Sequence, residues 1–238
     1  IKETIARLHN VLEESAIEDH EIIVVDDGST DGTPKALEKT REESGIDFVL
    51  LSHDQNRGYG ASLKTGIRKS TYPMIGITDA DGTYPLEELP KLYDAMKDCD
   101  MAVGARTGKR VKIPLIRRPA KWFLSKLASY LSESKIPDLN SGLRIFRKKD
   151  ALHFFGILPK GFSFTTTITL AMLNNHMNFK FFPIDYMKRK GKSKIRPIRD
   201  TLNFVQLIVR TILYFNPLKV FVPVALLFFI GALGVFLY

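Results

Sequence analysis

Ile75-Gly76-Ile77-Thr78-Asp79-Ala80-Asp81-Gly82 is a short apolar run that ends in two carboxylates one residue apart, with Pro85 soon after. A run closed by Gly and Pro reads as a buried strand reaching the edge of its sheet. The turn beyond then carries Asp79 and Asp81 past the strand end. That spacing suits one hard divalent cation, since Mg²⁺ is usually held by one or two carboxylates together with waters and substrate phosphates. Asp is also common in plain turns, where its side chain bonds the local backbone. The surrounding chain has to decide between the two.

On the N-terminal side, Ile5, Leu8, Val11 and Leu12 mark an amphipathic helix over residues 3–14. Glu21 to Val25 reads as a strand, stopped by Asp26-Asp27-Gly28-Ser29-Thr30-Asp31-Gly32. A helix follows over about 34–44, with Pro34 near its first turn. Phe48 to Leu51 is a second strand, leading through Asn56-Arg57-Gly58-Tyr59-Gly60 into a helix that ends near Lys69. After the third strand, Met74 to Thr78, come a helix over Leu86–Met96 and a strand over Met101–Gly104. Strands and helices in alternation predict an α/β domain, a mainly parallel sheet with helices on both faces.

In such sheets ligands bind beyond the carboxyl ends of the strands. Asp26, Asp27, Asp79, Asp81 and Arg106 each fall just after a strand, so they are expected along one edge. This convergence favours a metal–phosphate site over a set of unrelated turns.

Past Arg106 the pattern loosens. A helix is predicted over Trp122–Leu131, a polar turn at Asp138-Leu139-Asn140-Ser141-Gly142 and a strand over Leu143–Phe146. Gly161 to Phe164 introduces a helix running through Leu173, and Phe179 to Ile184 is another strand. Lys188 to Lys194 is strongly basic. Thr201 to Phe215, with Asp200 as its N-cap, is largely apolar but carries Asn203, Gln206 and Arg210, which suits a helix lying in a membrane interface.

The last 19 residues, Val220 to Tyr238, carry no charge. As a helix they would span roughly 28 Å, close to a bilayer core, and they are apolar on every face. Pro223 is expected near the helix start, where it is best tolerated. Basic residues from Lys188 to Lys219 crowd the N-terminal side, which is therefore expected on the cytoplasmic face. Ile1-Lys2-Glu3-Thr4 enters a helical pattern directly, without an initiator Met, so no signal peptide is expected in this stretch. The expectation is a piece of a longer chain, stopping inside an apolar run. Its predicted divisions are a catalytic domain at 1–199, an interfacial helix at 200–216 and a truncated transmembrane segment at 217–238.

At 238 residues a full core can form. Lys and Arg outnumber Asp and Glu 35 to 26, a formal charge of +9 that fits nucleic acid, anionic membrane or phosphorylated substrates. Nucleic acid is disfavoured, because the basic residues cluster beside the apolar segment and lack interleaved aromatics. Cys99, the one cysteine, forms no internal disulfide, and the five histidines show no metal-ligand spacing.

Taken in order, Val24-Val25-Asp26-Asp27-Gly28-Ser29-x-Asp31-Gly32, Asn56-Arg57-Gly58-x-Gly60, Asp79-x-Asp81 and Gly104-x-Arg106 resemble family 2 glycosyltransferases. Asp138-x-x-Ser141-Gly142 and Gly191-x-Ser193-Lys194, followed by an apolar segment, narrow the resemblance to polyprenyl-phosphate glycosyltransferases, which include dolichyl-phosphate mannose synthases. It covers nearly the whole chain, apart from an opening strand and Pro-x-Tyr-Asn-Glu loop that such proteins carry before the point where this sequence begins. The resemblance implies a GT-A (Rossmann-like) fold, a GDP- or UDP-linked sugar donor, Mg²⁺ or Mn²⁺, and a polyprenyl-phosphate acceptor. Asp26, Asp27 and Arg57 would bind the nucleotide sugar, Asp79 and Asp81 the metal against the diphosphate, and Arg106 the phosphates. Lys121, Ser125, Ser141, either Lys188 or Arg189, Ser193 and Lys194 would serve the acceptor phosphate. Thr83 stands where some relatives carry Gln. Homo-oligomerisation stays open.

The acceptor decides what else the chemistry needs. A sugar hydroxyl must lose its proton to a base, whereas a lipid phosphate arrives anionic. No Glu-Asp base motif and no Gln-x-x-Arg-Trp motif occur, which favours a phosphate acceptor and one inverting displacement. Two alternatives are a family 2 enzyme acting on a sugar hydroxyl of a lipid-linked glycan, and a non-catalytic membrane-anchored module.

Overall fold

The computed structural model describes residues 1–111, 118–161, 163–187 and 197–237. The first half alternates as expected: α1 (Lys2–Glu13), β1 (Ile23–Asp26), α2 (Thr33–Glu43), β2 (Val49–Ser52), α3 (Tyr59–Lys69) and β3 (Met74–Ile77). A 3-10 turn, Leu86–Glu88, then runs into α4 (Leu89–Ala95), followed by β4 (Met101–Ala105). Next come α5 (Arg118–Ser132), β5 (Arg144–Arg147), α6 (Lys148–His153), α7 (Phe164–Asn174) and β6 (Phe179–Pro183). Two long helices, α8 (Pro197–Phe215) and α9 (Leu218–Leu237), close the described chain.

β1 and β2 pair in parallel, and β3, β5, β4 and β6 form a second sheet in that order. β4 and β6 are parallel, but β5 runs antiparallel to both β3 and β4, so this sheet is mixed. The reason is local. The turn that feeds β5 is fastened at the end of β4, where the Ser141 hydroxyl donates to the Gly104 carbonyl at 2.5 Å. From there the chain can only run back along its neighbour.

Alternate residues of this sheet serve two apolar layers, as the period of two requires. Ile75, Ile77, Met101, Val103 and Phe146 face Phe164, Ile168 and Met172 of α7. Ala102 and Ile145 face Leu89 and Leu92 of α4. β4 is buried along its whole length, which its uncharged Met-Ala-Val-Gly-Ala sequence permits.

A third cluster joins α5, α7 and α8 through Leu124, Ala128, Leu170, Leu173, Ile208 and Ile212. The helix expected at a membrane interface thus buries one face in the protein. It also begins at Pro197, so Asp200 lies within its first turn rather than capping it, and the 199/200 boundary falls inside a helix. A Pro can open a helix because its missing N–H would be unpaired there anyway. The following helix, α9, has no buried residue and is long and apolar enough to cross a membrane. It starts at Leu218, which puts Pro223 in its second turn rather than at its start. Lys219 ties this helix to α5, bonding the Leu131 carbonyl at 3.2 Å and pairing with Glu133 at 2.7 Å.

Candidate active site

β1 delivers Asp26 and Asp27 to the sheet edge. Asp26 is buried and accepts the Ser29 N–H at 3.3 Å. Asp27 reaches across to the loop after β2, where its carboxylate accepts the N–H groups of Arg57 at 2.9 Å and Gly58 at 2.8 Å. His53 Nδ1 lies 2.8 Å from the same carboxylate, and its Nε2 lies 2.9 Å from the Thr65 hydroxyl. Burial pushes the Asp27 carboxyl up, but the bonds from His53, Arg57 and Gly58 pull it further down, so it sits below the usual carboxylate range. Gly58 has φ +101°, and a Cβ there would lie 2.6 Å from the Lys160 carbonyl, so no other residue fits.

The next residue carries the connection onward. Tyr59 hydrogen-bonds Asp79, and burial, reinforced by that carboxylate's charge, holds the phenol well above its ordinary pKa. Asp79 also abuts Gly142, where a Cβ would meet its Oδ1 at 2.9 Å. Asp81 Oδ1 accepts both the N–H and the hydroxyl of Thr83, at 3.1 and 2.6 Å. Helix α1 touches the same turn, with the Thr4 hydroxyl donating to the Ala80 carbonyl at 3.1 Å.

Arg106 follows β4 and turns its guanidinium onto Asp138. Nε and Nη2 donate to the two carboxylate oxygens at 2.7 and 2.9 Å, and the Arg106 backbone N–H donates at 2.9 Å. Burial acts to lower the arginine's pKa, but Asp138 more than reverses this and the group stays charged. The Tyr186 ring lies under the guanidinium, with its centroid 5.2 Å away. Tyr84 meets Tyr186 edge-to-face, and its hydroxyl accepts the Gly142 N–H at 2.7 Å. Burial pushes the Tyr84 phenol up to about 12. Behind the turn, Arg144 is wholly buried and donates to the carbonyls of Ser141 and Thr165 and to the Thr169 hydroxyl. Burial lowers its pKa to about 10.

The expected edge is therefore one connected arc. Asp27 holds the 57–58 loop, Tyr59 at the start of α3 holds Asp79, and Gly142 beside Asp79 belongs to the turn whose Asp138 holds Arg106. Arg57 itself is half-exposed, 3.9 Å from Asp54. Ser141, expected at the acceptor phosphate, is instead fully buried, with its hydroxyl committed to Gly104. Ser125 lines a groove of about 710 Å³ together with Thr107, Trp122, Lys126, Tyr130 and Lys135. Lys121 is on α5, but its side chain lies outside the described residues, as do Lys188, Arg189, Ser193 and Lys194.

Sequence reasoning missed Tyr59, Tyr84 and Arg144, and it read Asp138 only as part of a turn motif. Tyr59 occupied the variable position of Asn-Arg-Gly-x-Gly, and its partner is twenty residues away. Among the described residues no three His, Cys, Asp or Glu side chains gather as a metal cage. Asp79 and Asp81 fit a hard cation whose remaining ligands are substrate phosphate and water, the usual arrangement for Mg²⁺.

A family model described as glycosyl transferase family 2 matches residues 1–155. A dolichyl-phosphate hexose transferase of Haloferax volcanii is 29% identical over 177 residues, 74% of this chain and 74% of that protein. An undecaprenyl-phosphate mannosyltransferase of Micrococcus luteus is 28% identical over 201 residues, 81% of this chain and 80% of that protein. Among solved structures, glucosyl-3-phosphoglycerate synthase from Mycobacterium tuberculosis, in complex with Mn²⁺, UDP and glucosyl-3-phosphoglycerate, matches with a TM-score of 0.62. Its identity is 16%, and the match covers 89% of this chain and 74% of that one. This last likeness bears on the fold alone, and the α/β GT-A architecture expected from the sequence is the one observed.

Proposed function

Because the chain belongs to glycosyl transferase family 2, we propose that it moves a sugar from a GDP- or UDP-linked donor to a polyprenyl phosphate. The observation that carries this reading is the arc itself: two nucleotide-side carboxylates after β1, an Asp-x-Asp pair after β3 and a largely buried, charged arginine after β4, linked by contacts between the strand ends of the two sheets. The names of the relatives point to a lipid-phosphate acceptor.

In this reading Asp26, Asp27 and Arg57 line the nucleotide end. Asp79 and Asp81 would hold Mg²⁺ or Mn²⁺. A bound cation of this kind neutralises charge growing on the leaving diphosphate. Arg106 adds a fixed positive charge at the same end, where it stabilises the transition state more than the ground state. An acceptor phosphate oxygen attacks the anomeric carbon as the bond to the diphosphate breaks, inverting that carbon, and no protein base is required. Ser125, on the groove it lines with Thr107 and Lys126, suits the acceptor head group. Helix α9 would span the membrane, with the site on the cytoplasmic side, and so hold that groove at the depth of the lipid phosphate.

The test is transfer from a panel of radiolabelled nucleotide sugars into polyprenyl phosphate by the full-length membrane protein, with Mg²⁺ or Mn²⁺ and with a chelator. Metal-dependent label in the lipid, lost in Asp81→Ala, is expected. Absence of transfer from every donor overturns the reading.

A further inference from the structure

Resting on that reading, we propose that Asp138 is the positioning residue for Arg106, fixing the guanidinium toward the donor diphosphate before the donor arrives. The side chain of Asp138 is 1% exposed, and both of its oxygens bond Arg106, with Oδ1 also accepting the Asn140 N–H at 3.4 Å. It takes Nε, Nη2 and the backbone N–H of Arg106. The turn that carries it is itself fastened at three points: Ser141 to Gly104, Gly142 to Tyr84, and Arg144 to the Ser141 carbonyl. Arg106 is thus held along one edge by a carboxylate that cannot swing and over one face by Tyr186.

Two physical arguments give this arrangement a role beyond holding the fold. A buried ion pair is commonly no more stabilising than apolar residues of the same volume, so stability alone gives little reason for it. An arginine free to rotate, by contrast, loses side-chain entropy when it meets a phosphate. Ordering it in advance lowers the barrier in the way that prealigned catalytic groups do. Asp138 acts through Arg106, and its carboxylate need not touch the substrate.

The experiment is a double-mutant cycle in the full-length membrane protein, reading kcat, donor KM and the thermal melt of Asp138→Asn, Arg106→Gln and the pair. Asp138→Asn is expected to lower kcat about tenfold to a hundredfold, the range set by losing a charge-assisted hydrogen bond. In the Arg106→Gln background the same change should alter kcat by less than about twofold, because coupled residues are non-additive. Arg106→Lys, which keeps the charge but not the fork, should fall with Asp138→Asn. If Asp138→Asn does not fold, Asp138→Glu, which keeps the charge but shifts the carboxylate, takes its place in the same four-member cycle, because the coupling is read only when both single variants are measured. Equal losses from Asp138→Asn in both backgrounds, or an undiminished kcat in a folded Asp138→Asn, overturn the proposal. An inactive wild type removes the functional reading and this inference with it, whereas an active wild type with independent losses removes the inference alone.

Discussion

The phenol of Tyr59 hydrogen-bonds the carboxylate of Asp79, tying the first residue of α3 to the turn after β3. The phenol's raised pKa keeps its proton in place at any pH near neutrality, so it acts as a donor there. Tyr59→Phe removes the hydroxyl and leaves the ring. A hydrogen bond to a charged group contributes about 1.5–3 kcal/mol, so the Mn²⁺ concentration needed for half-maximal transfer should rise about tenfold or more. Mn²⁺ binding followed by electron paramagnetic resonance should weaken by the same factor. Unchanged binding would mean that Asp79 is oriented by other groups.

Gly142 tests the other side of Asp79. A Cβ at this position meets Oδ1 at 2.9 Å and both Cγ and Oδ2 at 3.1 Å, so Gly142→Ala must displace the carboxylate or the turn. Overpacking of this kind costs about 1–3 kcal/mol. The expected result is a lower melting temperature together with weaker Mn²⁺ binding, while Gly156→Ala, where a Cβ meets open space, leaves both alone. A Gly142→Ala protein with wild-type metal affinity would show that the contact relaxes freely.

Those two residues mark where legibility in the sequence ended. The strands of the first half could be read because each is a short apolar run, and the placement of Asp27, Asp79 and Arg106 just past strand ends followed from the same pattern, although β1 belongs to a separate sheet from β3 and β4. The direction of β5 could not be read, since a four-residue strand carries no mark of its direction; it depends on the Ser141–Gly104 bond across 37 positions. Arg144 was hidden differently. In a strand that alternates, a charged residue reads as solvent-facing, yet it is wholly buried and bonded to α7. Asp138 and Tyr59 have common turn and loop surroundings, and only tertiary contact reveals their partners.

Asp27 sets a pH dependence whose sign can be worked out. Its folded pKa is below the ordinary 3.8, because the bonds from His53, Arg57 and Gly58 outweigh the opposing effect of burial. A depressed carboxyl pKa stabilises the fold fully above the unfolded value and loses that contribution as pH falls through the folded one. Thermal melts between about pH 2.5 and 7 should therefore show the wild type losing stability below pH 4. Asp27→Asn should be less stable near neutrality, and its deficit should narrow toward the acid end. Parallel curves would remove the hydrogen-bonded carboxylate as the cause.

The last prediction separates metal holding from turn building at Asp81. Its Oδ1 accepts two bonds from Thr83, and the Thr83 carbonyl in turn accepts the Met187 N–H at 3.0 Å. Asp81→Ala therefore removes a carboxylate and loosens a turn at once, and lost activity alone would not say which mattered. Thr83→Val keeps the backbone bonds and the volume but deletes the hydroxyl, at about 1.5–3 kcal/mol for a hydrogen bond to a charged group. If Asp81 is a metal ligand, Asp81→Asn should abolish Mn²⁺ binding and lower transfer by at least about a hundredfold, the scale of losing one electrostatic contact to the transition state. Thr83→Val should then lower the melt and cost transfer only about tenfold. Equal losses of transfer in the two variants, with Mn²⁺ still bound by Asp81→Asn, would make this carboxylate a turn residue and leave Asp79 as the only protein ligand of the pair.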